Sequence, residues 1–243
     1  MARLSNPNLD LYDRGIFARL SGVDAGYGAA TVLVGIDFEV RAGEVALITG
    51  PAAAGKTTLT HLLRLALTPR AGRAEILGLD VERASPSARA RVKRRIGYVG
   101  ENPVFVDHWS AFDNIAMPLK LTGMKPAEYH EDVRELVDFV GLGGASDLAV
   151  EKLSGAERRR AALARALAAK PNLILADDPT AGMSPGDGRR IVRLLGEMRR
   201  VGTAVVIATQ DETLADCAPM NRWRIERGRL TPVDEGAPVE AFE

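Results

Sequence analysis

The stretch "VALITGPAAAGKTTLTHLL", residues 45–63, constrains this chain more than any other. An apolar run meets G-x-x-x-x-G-K-[ST], from Gly50 through Gly55 and Lys56 to Thr57, and passes at once into a helical pattern. A loop in that position turns successive backbone N–H groups onto one point and adds the positive end of a helix dipole, so it holds phosphate. Lys56 is spaced to reach the β- and γ-phosphates of a nucleotide, the Thr57 hydroxyl to bind Mg²⁺, and Thr58 to add a further phosphate contact. Pro51, Ala52, Ala53 and Ala54 complete the loop. Ala52 and Ala53 stand where glycine is the less strained choice if φ is positive, yet their amides still donate.

Around this motif, strand and helix patterns alternate. "IFARLSGV" from Ile16, "LVGIDFEV" (33–40) and "VALITG" precede it, and "KTTLTHLLRLAL" follows with Leu59, Leu62, Leu63 and Leu67 on one helical face. "AEILG" and "IGYVG" read as strands around a basic helix that Ser85 and Pro86 open. Residues from about 104 to 165 change to helical spacing, with Val133, Leu136, Val137 and Val140 three and four apart. Alternation then resumes with "NLILAD", a helix over 185–200, "TAVVIAT", a helix over 211–217, and "RWRIERGRL". The expected fold is α/β: a doubly wound, mostly parallel sheet flanked by helices, with an inserted helical subdomain. Residues 1–15 read as a flexible leader, 16–232 as the domain and 233–243 as a tail.

Composition excludes several classes. Lys+Arg and Asp+Glu are both 32, so net charge favours neither nucleic acid nor an acidic membrane. The basic run from Arg83 to Arg95 has no interleaved aromatics and reads as a solvated helix face, so no nucleic-acid partner is expected. Cys217 is the single cysteine, which excludes an internal disulfide and fits a reducing, cytoplasmic compartment. No apolar run approaches the ~20 residues a spanning helix needs. His61, His108 and His130 lack ligand spacing, so no structural metal is expected.

Two further stretches complete the pattern. "LSGAE" gives Ser154 with Glu157 three residues on, a capping box, and a capped helix N-terminus is also an anion site. "LILADDPT" runs an apolar strand into Asp177 and Asp178. In this order and spacing, "GPAAAGKTT", "LSGAE" and "LILADDPT" make the chain resemble, over about residues 16–230, the nucleotide-binding subunits of ABC transporters. That resemblance implies a P-loop NTPase core with a small antiparallel β part. It implies a head-to-tail homodimer with two ATP sites, each closed by Ser154, Gly155 and Ala156 of the other copy. It also implies Tyr27 stacked on adenine, Asp177 holding Mg²⁺ and Asp178 as general base. "TVLVGIDFEVRAGEVALITGPAAAGKTTL", "FDNIAMPLKLTGM" and "RWRIERGRL" look most like the FtsE type of cell-division ATPase, whose membrane partner is FtsX. Lipoprotein-releasing and macrolide-exporting ATPases are the nearest alternatives. The implied location is the inner face of the cell membrane, reached through that partner.

Four positions depart from the family pattern. Asp178 replaces the usual Glu, Gln210 the switch histidine, Glu101 a glutamine, and Ser184 an aspartate. Asp178 keeps a carboxylate on a shorter arm, and misplacing a catalytic group by about 1 Å can cost roughly 10²-fold. Gln210 still donates to phosphate without charge, and Glu101 offers Mg²⁺ a carboxylate while adding negative charge. The expectation is slow ATP hydrolysis, with an ATP-dependent assembly module of negligible turnover as the alternative.

Overall fold

The computed structural model describes residues 15–233, so residues 1–14 and 234–243, nearly all of the expected leader and tail, lie outside the described residues. One sheet is antiparallel and runs β2-β1-β4-β5, from β1 (Ile16–Tyr27), β2 (Ala30–Arg41), β4 (Ala71–Ile76) and β5 (Leu79–Asp80). The other runs β10-β9-β3-β8-β7-β6, from β3 (Val45–Thr49), β6 (Ile96–Val99), β7 (Leu173–Asp177), β8 (Ala204–Thr209), β9 (Asn221–Glu226) and β10 (Arg229–Pro232). It is parallel except for β10, which folds back on β9. Every residue of β3, β7 and β8 is buried, which is why "VALIT", "LILAD" and "AVVIAT" carry no alternation.

Helix α1 (Lys56–Leu63) lies between the two sheets, with Leu59, Leu62 and Leu63 in one apolar cluster with Phe38, Ile48 and Ile76. Helix α2 (Pro86–Lys93) is opened by Ser85, which accepts the Ala88 N–H, as the Ser-Pro signal predicts. On the other face of the parallel sheet, α3 (Ala111–Leu121), α4 (Pro126–Phe139), α5 (Gly155–Ala168) and α6 (Pro185–Glu197) share a second cluster that includes Ile115, Val133, Leu163 and Ile191. Val133, Val137 and Val140 are buried there and Leu136 is half-buried, as their spacing requires.

Three helical expectations end differently. Helix α1 stops at Leu63 instead of running on to Leu67: Leu65 adopts φ 62°, and the amides of Ala66 and Leu67 both turn to the His61 carbonyl. The helix expected over 185–200 becomes α6 followed by a 3₁₀ turn, Met198–Val201, and the segment expected as helix over 211–217 is a 3₁₀ turn, Glu212–Cys217, capped by Asp211. Such short pieces keep the helical sense with the tighter 3₁₀ winding.

Asn114, in α3, organises the loop before it. Its side chain is fully buried, accepts the Val106 N–H at 2.9 Å, and donates to the carbonyls of Val106 and Ser110 at 3.0 Å each and of Trp109 at 3.4 Å. An apolar replacement leaves the Val106 N–H without a partner and each of those carbonyls with a single backbone donor, at about 1–3 kcal/mol for a buried unsatisfied group. Asn114→Ala is therefore expected to lower stability by about 2–4 kcal/mol in urea unfolding, with hydrogen exchange accelerated first in residues 105–110.

Candidate functional site

The parallel pairing fixes the site. Thr49 pairs with Thr209, Asp177 with Ala208, and Val99 with Ala176, so the carboxyl ends of β3, β8, β7 and β6 finish together. The Gly50–Thr57 loop, Asp178, Gln210 and Glu101 all follow those ends directly. Ligands of open parallel sheets bind at that edge.

The loop is braced from beneath. A Cβ on Gly50 (φ 157°) would meet the Ile225 carbonyl at 2.2 Å, and one on Gly55 (φ 113°) would meet Leu33 Cδ2 at 2.8 Å. Glycine at both positions lets the backbone sit against β9 and β2. Of the two alanines noted above, Ala53 takes the left-handed conformation, φ 59°, a strain of about 1–2 kcal/mol. Lys56 is buried, and its Nζ donates to the carbonyls of Gly50 and Pro51 at 2.8 Å each. Burial holds Lys56 below its usual value, while Asp178 and Asp177 pull it upward. Thr57 is exposed, whereas Thr58 is buried.

Asp177 is buried and accepts hydrogen bonds from the hydroxyls of Thr57 and of Thr60, the latter at 3.4 Å. Burial pushes its carboxyl above the usual range; those hydroxyls offset part of the rise and the adjacent Asp178 charge adds to it. A buried carboxylate beside a hydroxyl, with no ion pair recorded to it among the described residues, suits a hard divalent cation. Thr57 and Asp177 thus fit Mg²⁺. Glu101 is exposed, and its contact is through its carbonyl, which accepts from Arg159 Nη1 at 3.0 Å.

Asp178 adopts φ 45°, donates its N–H to the Ala208 carbonyl, and accepts the Gln210 N–H on Oδ1 at 3.3 Å. The carboxylate proposed as base and the switch position therefore touch, leaving Oδ2 for another partner. Ser184 has a structural explanation: it caps α6, accepting the Asp187 N–H and donating to the Asp187 carboxylate at 2.8 Å. Ser154 and Glu157 form the reciprocal capping box at α5, with Ser154 and Gly155 exposed and Ala156 half-exposed. Tyr27, at the end of β1, is 46% exposed, and its phenol lies 2.8 Å from His61 Nδ1.

The sequence shows His61 only as a histidine without metal-ligand spacing and gives Thr60 no role. Their signal was available in the helical spacing: they stand three and four residues after Thr57, on the turn that faces β7 and Tyr27.

The profile of the ABC transporter family matches residues 33–181. The chain is 35% identical over 219 residues to the lipoprotein-releasing system ATP-binding protein LolD of Nitratidesulfovibrio vulgaris, covering 88% of this chain and 91% of that protein. It is 35% identical over 209 residues to LolD of Shewanella sp., covering 85% and 90%. Among solved structures, it superposes with a TM-score of 0.81 at 24% identity on a dimeric ATP-binding cassette in a post-hydrolysis state bound to ADP and Pi, covering 90% of this chain and 100% of that one. A nucleotide-free cassette from an ABC transporter gives 0.76 at 21%, covering 88% and 89%. These likenesses establish the cassette fold.

The raised Asp177 carboxyl has a stability consequence. An acid whose folded value exceeds its unfolded value holds its proton more tightly when folded, so stability falls as pH rises through that window. Asp177→Asn removes the ionisation and is expected to raise the melting temperature of the metal-free protein at about pH 8, with the gain vanishing below about pH 4. Added Mg²⁺ should raise the midpoint of the wild type and leave the variant unchanged in the same thermal scans.

Proposed function

The chain belongs to the ABC transporter family, and from that membership we propose that it is an ATP-binding, ATP-hydrolysing subunit working as a head-to-tail homodimer on an integral membrane partner. The observation that carries this is the common finish of β3, β7 and β8, which brings Lys56, Thr57 and Asp177 to one edge with Asp178 and Gln210 beside them. In this reading the loop and Lys56 hold the phosphates, and Thr57 and Asp177 hold Mg²⁺, which supplies charge neutralisation when bound. Glu101 is a further candidate ligand. Tyr27 stacks on the base. Ser154, Gly155 and Ala156 offer the exposed amides of the α5 N-terminus to the nucleotide of the other copy.

Hydrolysis proceeds when a base within hydrogen-bond reach takes the proton of the attacking water. Asp178 has that carboxylate, but the Gln210 amide holds one of its oxygens and its arm is short. Slow turnover follows. Asp178→Glu with Gln210→His is expected to raise kcat by about 10-fold or more while leaving ATP affinity nearly unchanged, with non-additive single effects. A steady-state phosphate-release assay on the purified dimer, with and without its membrane partner, measures this. A double variant no faster than a wild type of ordinary rate would end the slow-hydrolysis reading, and absence of turnover in both would favour the assembly-module alternative.

For the partner we infer an FtsX-type membrane subunit, which would put the chain in control of cell-wall hydrolysis at division and on the cytoplasmic face of the membrane. Its support is the resemblance of 31–59, 112–124 and 222–230. Among the described residues no helix is long and apolar enough to cross a membrane itself. A second reading, release of lipoproteins, is favoured by the names of the relatives at 35% identity. Mass spectrometry of the membrane protein recovered with the tagged chain separates the two.

An apolar cluster in the sequence, Pro103, Val104, Phe105 and Trp109, stands where the family resemblance implies that the membrane subunit docks, and only part of it is exposed. Phe105 is buried, with Arg165 4.4 Å and Arg158 5.5 Å from its ring centre, so it belongs to the fold. Val104 is 83% exposed and Trp109 37% exposed. Val104→Asp with Trp109→Ala should reduce recovery of the membrane subunit on co-purification at least about 10-fold, as loss of central apolar anchors does. Unchanged recovery would move the docking surface elsewhere.

A further inference from the structure

We propose that His61 is a positioning residue for the nucleobase: it fixes the Tyr27 ring on which the base stacks and ties that ring to the helix that begins at the phosphate loop. The inference rests on the reading of Tyr27 as the base platform given above.

Tyr27 needs such support. Nearly half exposed at a strand end, it lacks the enclosing core that would select one rotamer. Ordering a loose side chain at a binding surface costs about 0.5–1.5 kcal/mol, which the ligand must otherwise overcome. Two devices remove that freedom. Arg70 holds the backbone after Tyr27, donating to the carbonyls of Gly28 at 2.6 Å and Ala29 at 3.3 Å and to Thr31 Oγ1 at 3.1 Å. His61 holds the ring: the phenol is 2.8 Å from Nδ1, and the two rings meet edge to face at 6.3 Å and 83°.

His61 is itself held. Tyr98 of β6 backs its ring edge to face at 6.5 Å, and Arg64, one turn further along, covers the Tyr98 ring at 4.3 Å. Burial and then the Arg64 charge keep His61 below its usual value, with Asp177 pulling the other way. In the tautomer protonated on Nε2, Nδ1 accepts the phenol hydrogen bond. Because His61 and Lys56 share α1, the base end and the phosphate end of the site are set by one rigid element. The spacing between them is then set by that helix.

The test compares ATP with inorganic tripolyphosphate, which has phosphates and no base, as titrants in calorimetry of the full chain with Mg²⁺. His61→Leu should weaken ATP binding about 3- to 10-fold and leave tripolyphosphate affinity unchanged. In turnover, the loss should fall on KM instead of kcat. Tyr27→Phe should match it, the double variant should be no worse than either single, and His61→Asn, whose amide oxygen can stand near the Nδ1 position, should recover most of the affinity. Wild-type ATP affinity in His61→Leu, or an equal loss for tripolyphosphate, would overturn the proposal; the second result would mean that His61 acts on α1 as a whole. Tyr27→Ala distinguishes the two layers: ATP affinity unchanged in that variant would remove the base platform itself, whereas a weakened Tyr27→Ala beside an unaffected His61→Leu removes only the positioning role.

Discussion

The hydrogen-bonded register of β3 against β8 and β8 against β7 is the constraint on which the rest of this structure depends. These strands are buried along their whole length, so their order is held by main-chain pairing and apolar packing, with no charged side chain inside them until Asp177. A slip of one residue would reverse which face each side chain meets. It would turn Asp177 away from Thr57 and Thr60, whose hydroxyls make its burial tolerable. The polar residues of the site are therefore supported by strands whose residues, Asp177 apart, take no part in the chemistry.

What was legible in the sequence was local. The loop from Gly50 to Thr57, the Ser154–Glu157 box and the Ser85-Pro86 helix start depend on neighbours within a few residues, and all three form as expected. The limits of α1 were harder to see, because the turn at Leu65 carries no glycine or proline and Pro69 comes later. Val104 and Phe105 point opposite ways, one to solvent and one into the core. Adjacent residues of an irregular loop have no period from which to read that. The contacts of His61, in α1, come from β1 of the antiparallel sheet and β6 of the parallel one, and are complete only once both sheets have packed on α1. Spacing along the chain could locate His61 near Thr57 but could not identify Tyr27 and Tyr98 as its neighbours.

The four departures from the family pattern carry unequal physical weight. Ser184 is accounted for by its cap on α6, a role that serine fills well. Glu101 is exposed, so water screens its charge before it reaches the phosphates. Asp178 and Gln210 differ from both: one is in a left-handed backbone conformation and is bonded to the amide of the other. Aspartate tolerates that conformation better than most residues, and its short arm brings the carboxylate back onto the Gln210 N–H. On the proposed reading, the conflict between holding this turn and reaching an attacking water is concentrated in that single contact.

The same economy of contacts governs the phosphate loop. Lys56 caps the carbonyls of Gly50 and Pro51 with two hydrogen bonds, so the loop is already curled around its own lysine. A triphosphate entering the loop exchanges those neutral acceptors for charged oxygens, which attract the ammonium more strongly. The exchange needs no rearrangement of the glycines, since Gly50 and Gly55 are fixed by Ile225 and Leu33 beneath them. Desolvation, which disfavours the buried lysine cation, is relieved in the same step as the phosphate charge arrives. The loop thus keeps its shape while its electrostatics improve, and nucleotide affinity in this reading comes from replacing weak partners of a preformed cradle with strong ones.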